Sequence, residues 1–123
     1  MQTTTAALQS LHQAIDAPRK PGSPLGTWRW GVRRRMAGVR DLLVSETTHD
    51  GDAWLAARGG TVLRERNALL GRLSALGPRV LESDCVEEVR ADLERLLADI
   101  RHHLQRLHDL AYDEVEMELG GSE

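Results

Sequence analysis

The fold of this protein is decided by residues 84–118, which read DCVEEVRADLERLLADIRHHLQRLHDLAYDEVEME. Apolar residues recur in this stretch every three or four positions, which is typical of one long amphipathic helix. Asp84 is suited to cap its first turn. The apolar stripe consists of Val86, Val89, Leu93, Leu96, Leu97, Ile100, Leu104, Leu107 and Ala111. The sequence therefore predicts a helix about 50 Å long that needs other helices to cover its apolar face.

Three shorter amphipathic segments precede this helix. Apolar residues recur with helical spacing in each of them, and no segment shows the alternating pattern of a β-strand. Prolines and glycines mark the connections. The predicted helices span 3–16, 27–48, 53–76 and 84–118, with a loop over 17–26. Four helices with three connections predict an all-α, single-domain four-helix bundle, most simply of up-down-up-down topology with a long C-terminal helix.

The ends of the two middle helices depend on particular residues. Thr27 is a good N-cap for the second helix. The third helix keeps one apolar phase across Gly59-Gly60, which predicts a continuous helix although each glycine costs about 1 kcal/mol relative to alanine. The alternative is a break at this glycine pair. Gly77-Pro78 is expected to end the third helix.

Length and composition exclude several classes of protein. The 123 residues suffice for one domain with its own core. No apolar run approaches the ~20 residues of a membrane span, and residues 1–5 lack the pattern of a signal peptide. Cys85 is the only cysteine, which excludes an internal disulfide and fits a cytoplasmic location. The sequence contains neither a glycine-rich phosphate-binding loop nor the signature of a catalytic serine or cysteine, so a role other than catalysis is favoured.

Charge is unevenly distributed along the chain. Residues 1–40 carry seven basic and one acidic side chain, whereas residues 41–123 carry nine basic and eighteen acidic ones. Arg29, Arg33 and Arg40 lie on one side of the second helix and form a stripe suited to carboxylate or phosphate groups. The net charge of −3 disfavours nucleic acid as the partner. We expect the arginine-rich helix and the acidic C-terminal helix to mediate association, in a homodimer or with another protein.

Polar residues interrupt the apolar faces near one end of the predicted bundle. Glu46 and Arg58 fall inside the stripes of the second and third helices, and His103 and His108 flank the stripe of the fourth. Burying such groups requires partners. The structural interpretation is an Arg58–Glu46 pair, and the functional one is a ligand site. If the third helix breaks at its glycine pair, Arg66 takes the place of Arg58.

Two short motifs suggest a metal at this level. Glu46-Thr-Thr-His49 places a carboxylate and an imidazole on one helical face, and His108 is followed five residues later by Asp113. With His12 on the first helix, this arrangement resembles the hemerythrin-like family of small four-helix bundles with a di-iron centre. The resemblance implies a metal- or small-ligand-binding bundle, a sensor or a storage protein. Because the third helix lacks histidine, a mononuclear or zinc site is expected in preference to a di-iron centre. The implied ligands to iron or zinc are Glu46, His49, His103, His108 and Asp113. The association hypothesis requires no cofactor.

Overall fold

A computed structural model of the protein describes residues 2–16, 25–45 and 60–121. These residues form four α-helices: α1 (Gln2–Asp16), α2 (Leu25–Ser45), α3 (Thr61–Glu82) and α4 (Val86–Gly121). The described ranges contain no β-strand. The 36 residues of α4 extend for about 54 Å, more than twice the length of α1. The all-α class and the long C-terminal helix are therefore confirmed.

Neighbouring helices run antiparallel. Near the start of α2, the Trp28 indole Nε1 donates to the carbonyl of Ile15 at the end of α1, at 3.4 Å. Two turns later, Arg35 Nε donates to Ser10 Oγ at 3.1 Å, earlier in α1. The same reversal relates α2 to α3 and α3 to α4, because contacts early in one helix are made to residues late in the next. α1 also contacts α4. This closed ring of helices is the up-down-up-down bundle that the sequence predicts.

Among the described side chains, the residues of the predicted stripes form the buried and partly buried faces of the four helices. A fully buried aliphatic side chain contributes about 1.5–3 kcal/mol relative to an exposed one, so these stripes supply most of the driving force for folding. None of the helices in the described ranges combines the length and apolar character that a membrane crossing requires. The buried core comprises Leu8, Leu11, Ile15, Trp28, Val32, Met36, Val39, Leu43, Leu69, Leu73, Leu76, Val80, Val89, Leu93, Leu96, Leu97 and Ile100.

The predicted start of α2 and the predicted ends of α4 are wrong by a few residues. α2 begins at Leu25, which packs against the core, so Thr27 is an exposed residue of the first turn and not its cap. Apolar burial of Leu25 thus decides where the helix starts. α4 begins at Val86, after Asp84, and its backbone stays helical to Gly121. Cys85 supplies the first helical carbonyl, which accepts the Val89 N–H at 3.2 Å.

Gly60 is the residue before α3, and the predicted continuous helix through it is wrong. Its φ of 75° is left-handed, a conformation that glycine adopts without steric cost. The Arg64 N–H donates to the Gly60 carbonyl at 2.9 Å and closes the first turn. The break at the glycine pair, the alternative above, is the arrangement found. Residues 46–59 lie outside the described residues, as do the predicted C-terminal end of the second helix and the predicted start of the third.

Gly77-Pro78 does not end α3, which continues to Glu82. Pro78 has no N–H to donate to the Ser74 carbonyl, so one helical hydrogen bond is missing. The buried face nevertheless continues through Val80, which is 1% exposed. Packing of this last turn against the core outweighs the cost of an internal proline.

Candidate functional site

Glu65 organises a polar cluster between α3 and α4. Its Oε1 lies 2.8 Å from Nδ1 of His103, an imidazole with 0% exposure. Arg106, one turn further along α4, donates from Nε to the same oxygen at 3.1 Å and from Nη2 to Oε2. A guanidinium that engages both carboxylate oxygens fixes the distance and the orientation of the two helices.

The charge of Glu65 is stabilised by these two partners. Partial burial raises the pKa of its carboxyl group, but the hydrogen bonds with Arg106 and His103 outweigh burial and hold the pKa below its ordinary value. Glu65 in turn raises the pKa of the Arg106 guanidinium. Glu65 is therefore a carboxylate at neutral pH, and its oxygens are already engaged within the bundle.

Arg66, the residue after Glu65 on α3, is buried, with 4% exposure. Its Nη2 donates to Asn67 Oδ1 at 3.3 Å. The helix starts after Gly60, the condition under which Arg66 is the alternative to Arg58, but Glu46 lies outside the described residues, so the pairing of Arg66 with Glu46 stays a prediction. Arg58, the first choice for this position, lies outside the described residues.

The structure does not assemble the predicted metal ligands among the residues it describes. His103 is fully buried and contacts Glu65, whereas His108 is exposed on α4. Within the described ranges, no three His, Cys, Asp or Glu side chains lie close enough together to hold a metal ion. Glu46 and His49 lie outside those ranges, and Asp113 belongs to the end of α4 for which only the backbone is described. The iron or zinc site stays a prediction.

Arg29 does not act as a surface cation, contrary to its place in the predicted binding stripe. Its guanidinium crosses from α2 to the end of α3, where Nη1 donates to the Leu81 carbonyl at 2.6 Å and Nη2 to the Ser83 carbonyl at 2.7 Å. The last carbonyls of a helix have no partner within the helix and carry partial negative charge. Arg29 therefore caps α3 from a neighbouring helix.

Arg33 and Arg40 line a groove of about 290 Å³ between α2 and α3. Gly77 allows Arg33 to lie close to α3, because a Cβ at this glycine would be only 3.1 Å from Arg33 Nε. Neither arginine forms an ion pair with an acidic residue of the described ranges. These two members of the predicted stripe remain available to a ligand. The other lining residues are Met36, Ala37, Leu73, Ser74 and Pro78.

The outer face of α2 carries the most exposed large apolar side chain of the described residues. Trp30 is 63% exposed, and Val44, near the other end of the helix, is 37% exposed. Helical spacing aligns Trp30 with Arg34, Ala37, Asp41 and Val44, all of them exposed. We call these five residues the outer face of α2.

Glu65 is a residue of the polar cluster between α3 and α4 that the sequence analysis does not identify, although the sequence contains its signal. Three ion pairs of an arginine with an acidic residue join α3 to α4. On each helix, the residues that take part in successive pairs are seven positions apart. This is the spacing at which charged residues flank the seam of two packed helices. Because the predicted third helix ends at residue 76, Arg79 falls outside it and the repeat of charged residues cannot be recognised. The pairs are Arg79–Asp92, Arg72–Asp99 and Glu65–Arg106.

Comparison with known proteins finds no matching family model, no matching curated protein and no matching solved structure. The resemblance to the hemerythrin-like family therefore stays an expectation based on spacing. His12, which contributed to it, pairs with Asp16 in the next turn of α1, with Nε2 2.7 Å from Oδ2.

Proposed function

We propose that this chain acts by associating with another protein chain, in the simplest case a second copy of itself, through α2 and the acidic end of α4. The observation that carries this proposal is the exposure of Trp30, 63% of whose surface faces solvent. Tryptophan and arginine are enriched at the centres of protein interfaces, where they supply most of the binding energy.

The surroundings of Trp30 fit a contact surface. Arg34 lies one turn further along the outer face and forms no ion pair with the described residues. Ala37, in the middle of this face, has a small side chain, so another helix can approach closely there. Trp30 and Val44 provide apolar area at the two ends of this face.

The acidic end of α4 supplies the complementary charge. Residues 109–118 contain five acidic side chains and no basic one, interleaved with Tyr112 and Val115. The α4 backbone remains helical to Gly121, so this segment is presented as an extension of the longest helix. Association between a basic and an acidic helix combines charge complementarity with apolar burial.

Sedimentation equilibrium across a concentration series, at low and high salt, tests the proposal. We expect a dimer that weakens with salt, because exposed charges are screened. Trp30→Ala should weaken it further, whereas Leu81→Ala, which truncates an exposed apolar side chain on α3, should not. A wild-type monomer at all concentrations and salt conditions would overturn self-association.

A further inference from the structure

The interface of α3 with α4 and its interface with α2, here called the two seams of α3, differ in whether their charged side chains are paired. On the α4 side, Arg72 Nη1 lies 2.7 Å from Asp99 Oδ2, and a second arginine–aspartate pair has the same separation. On the α2 side, Arg33 and Arg40 have no acidic partner among the described residues. The arginines between α3 and α4 are therefore neutralised by acidic residues of the same chain. The arginines between α2 and α3 keep their positive charge among the described residues.

The unneutralised seam is also open. Its groove has an apolar floor of Met36 and Leu73, which are 1% and 3% exposed. Ser74 and Pro78 form the rim on α3, at the place where the internal proline interrupts the helical hydrogen bonds. An occupant that suits this groove carries carboxylates for the arginines and apolar groups for the floor.

We propose that this groove receives the acidic end of α4, residues 109–118, from a second copy of the chain. The inference rests on the proposed self-association and names the site at which it occurs. Arg33 and Arg40 are seven residues apart on α2, which places their Cα atoms about 10 Å apart. Asp109 and Glu116 are also seven residues apart on α4, so two carboxylates and two guanidinium groups share one spacing.

The acidic end cannot occupy the groove of its own chain. Asp99 is level with Arg72 beside the groove, and Asp109 lies ten residues further along α4, about 15 Å away along the helix axis. The groove also opens on the side of α3 that faces α2, not α4. A symmetric dimer brings each acidic end to the groove of the other copy and fills both sites at once.

Charge reversal with complementation tests this assignment. One variant carries Arg33→Glu and Arg40→Glu in the groove, and the other carries Asp109→Arg and Glu116→Arg in the acidic end. Each variant alone should dimerise at least about tenfold more weakly than the wild type, since every substitution acts twice in a symmetric dimer. An equimolar mixture should recover a dimer of wild-type affinity, because both contacts in the mixed dimer are complementary. Arg101→Glu, an exposed reversal on α4, is the control for net charge.

Ser74→Glu provides a second test that leaves both arginines in place. Ser74 is exposed at the rim of the groove, so a carboxylate there should pair with the arginines and weaken the dimer without loss of folding. A wild-type monomer would overturn the proposed self-association together with this inference. A wild-type dimer that Ser74→Glu and the groove reversal weaken no more than Arg101→Glu does, or a mixture that stays monomeric, would overturn the groove assignment alone.

Discussion

Glu65 on α3 lies against His103 on α4, with its Oε1 2.8 Å from the Nδ1 of an imidazole that is completely buried. The same carboxylate reaches outward to Arg106, whose side chain is half exposed. Glu65 thus links a core residue to a surface residue, one turn after the left-handed Gly60 that precedes α3. We interpret this linkage as the contact that holds the first turn of α3 in register with α4.

Glu65→Gln should destabilise the bundle by about 1–2 kcal/mol, because hydrogen bonds to a charged group are stronger than those to a neutral amide. Urea unfolding followed by circular dichroism measures the change. Glu94→Gln removes the same charge from an exposed position on α4 and serves as the control. Equal stability of the two variants would contradict the role given to Glu65.

The stability that Glu65 contributes should depend on pH. Its pKa in the folded protein lies below the ordinary value of 4.5, so the contribution is complete above that value and is lost as the pH falls through the folded-state pKa. The difference in unfolding free energy between the wild type and Glu65→Gln should therefore shrink on acidification. A difference that stays constant from neutral pH to about pH 3 would show that the charge of Glu65 is not responsible.

The sequence predicts the buried faces well and the helix ends poorly, for a physical reason. Burial follows a local period of 3.6 residues, so the apolar stripe of each described helix can be found without knowledge of its neighbours. Helix ends depend on contacts between helices. Leu25 extends α2 because it packs on the core, and Pro78 stays inside α3 because Val80 is buried beyond it. The cap that Arg29 provides to α3 spans 52 residues of sequence and has no local signal.

Substitution by alanine should stabilise the protein at two glycines inside the described helices and destabilise it at the glycine that precedes α3. A Cβ at Gly38 or Gly71 meets no atom within 4 Å, so alanine should stabilise each exposed site by about 0.5–1 kcal/mol. Gly60→Ala should destabilise the protein, because the φ of 75° at this position is unfavourable for a residue with a Cβ. Thermal melts of the three variants measure the effects. Stabilisation by Gly60→Ala would place the start of α3 elsewhere.

Removal of the Arg29 guanidinium should loosen the end of α3. Arg29→Ala leaves the Leu81 and Ser83 carbonyls without this donor, at a cost of about 1 kcal/mol since the contacts are partly exposed to solvent. Faster hydrogen exchange of amides in the last turn of α3 should accompany this loss. Arg34→Ala, on the outer face of the same helix, should leave that exchange unchanged. Equal exchange in both variants would contradict the cap.

Substitution of a single proposed ligand, His108, tests the metal hypothesis. The contact between Glu65 and Nδ1 of His103 resembles the support that carboxylates give to metal-binding histidines, and a metal would have to bind His103 through Nε2. His108 is exposed, so its loss should not disturb the core. The hypothesis predicts stoichiometric iron or zinc in protein from metal-replete expression, retained in Arg101→Ala and lost in His108→Ala. Elemental analysis beside native mass spectrometry measures both metal and subunit number. Metal that His108→Ala retains would exclude His108 as a ligand, and a metal-free dimer would leave association as the function supported.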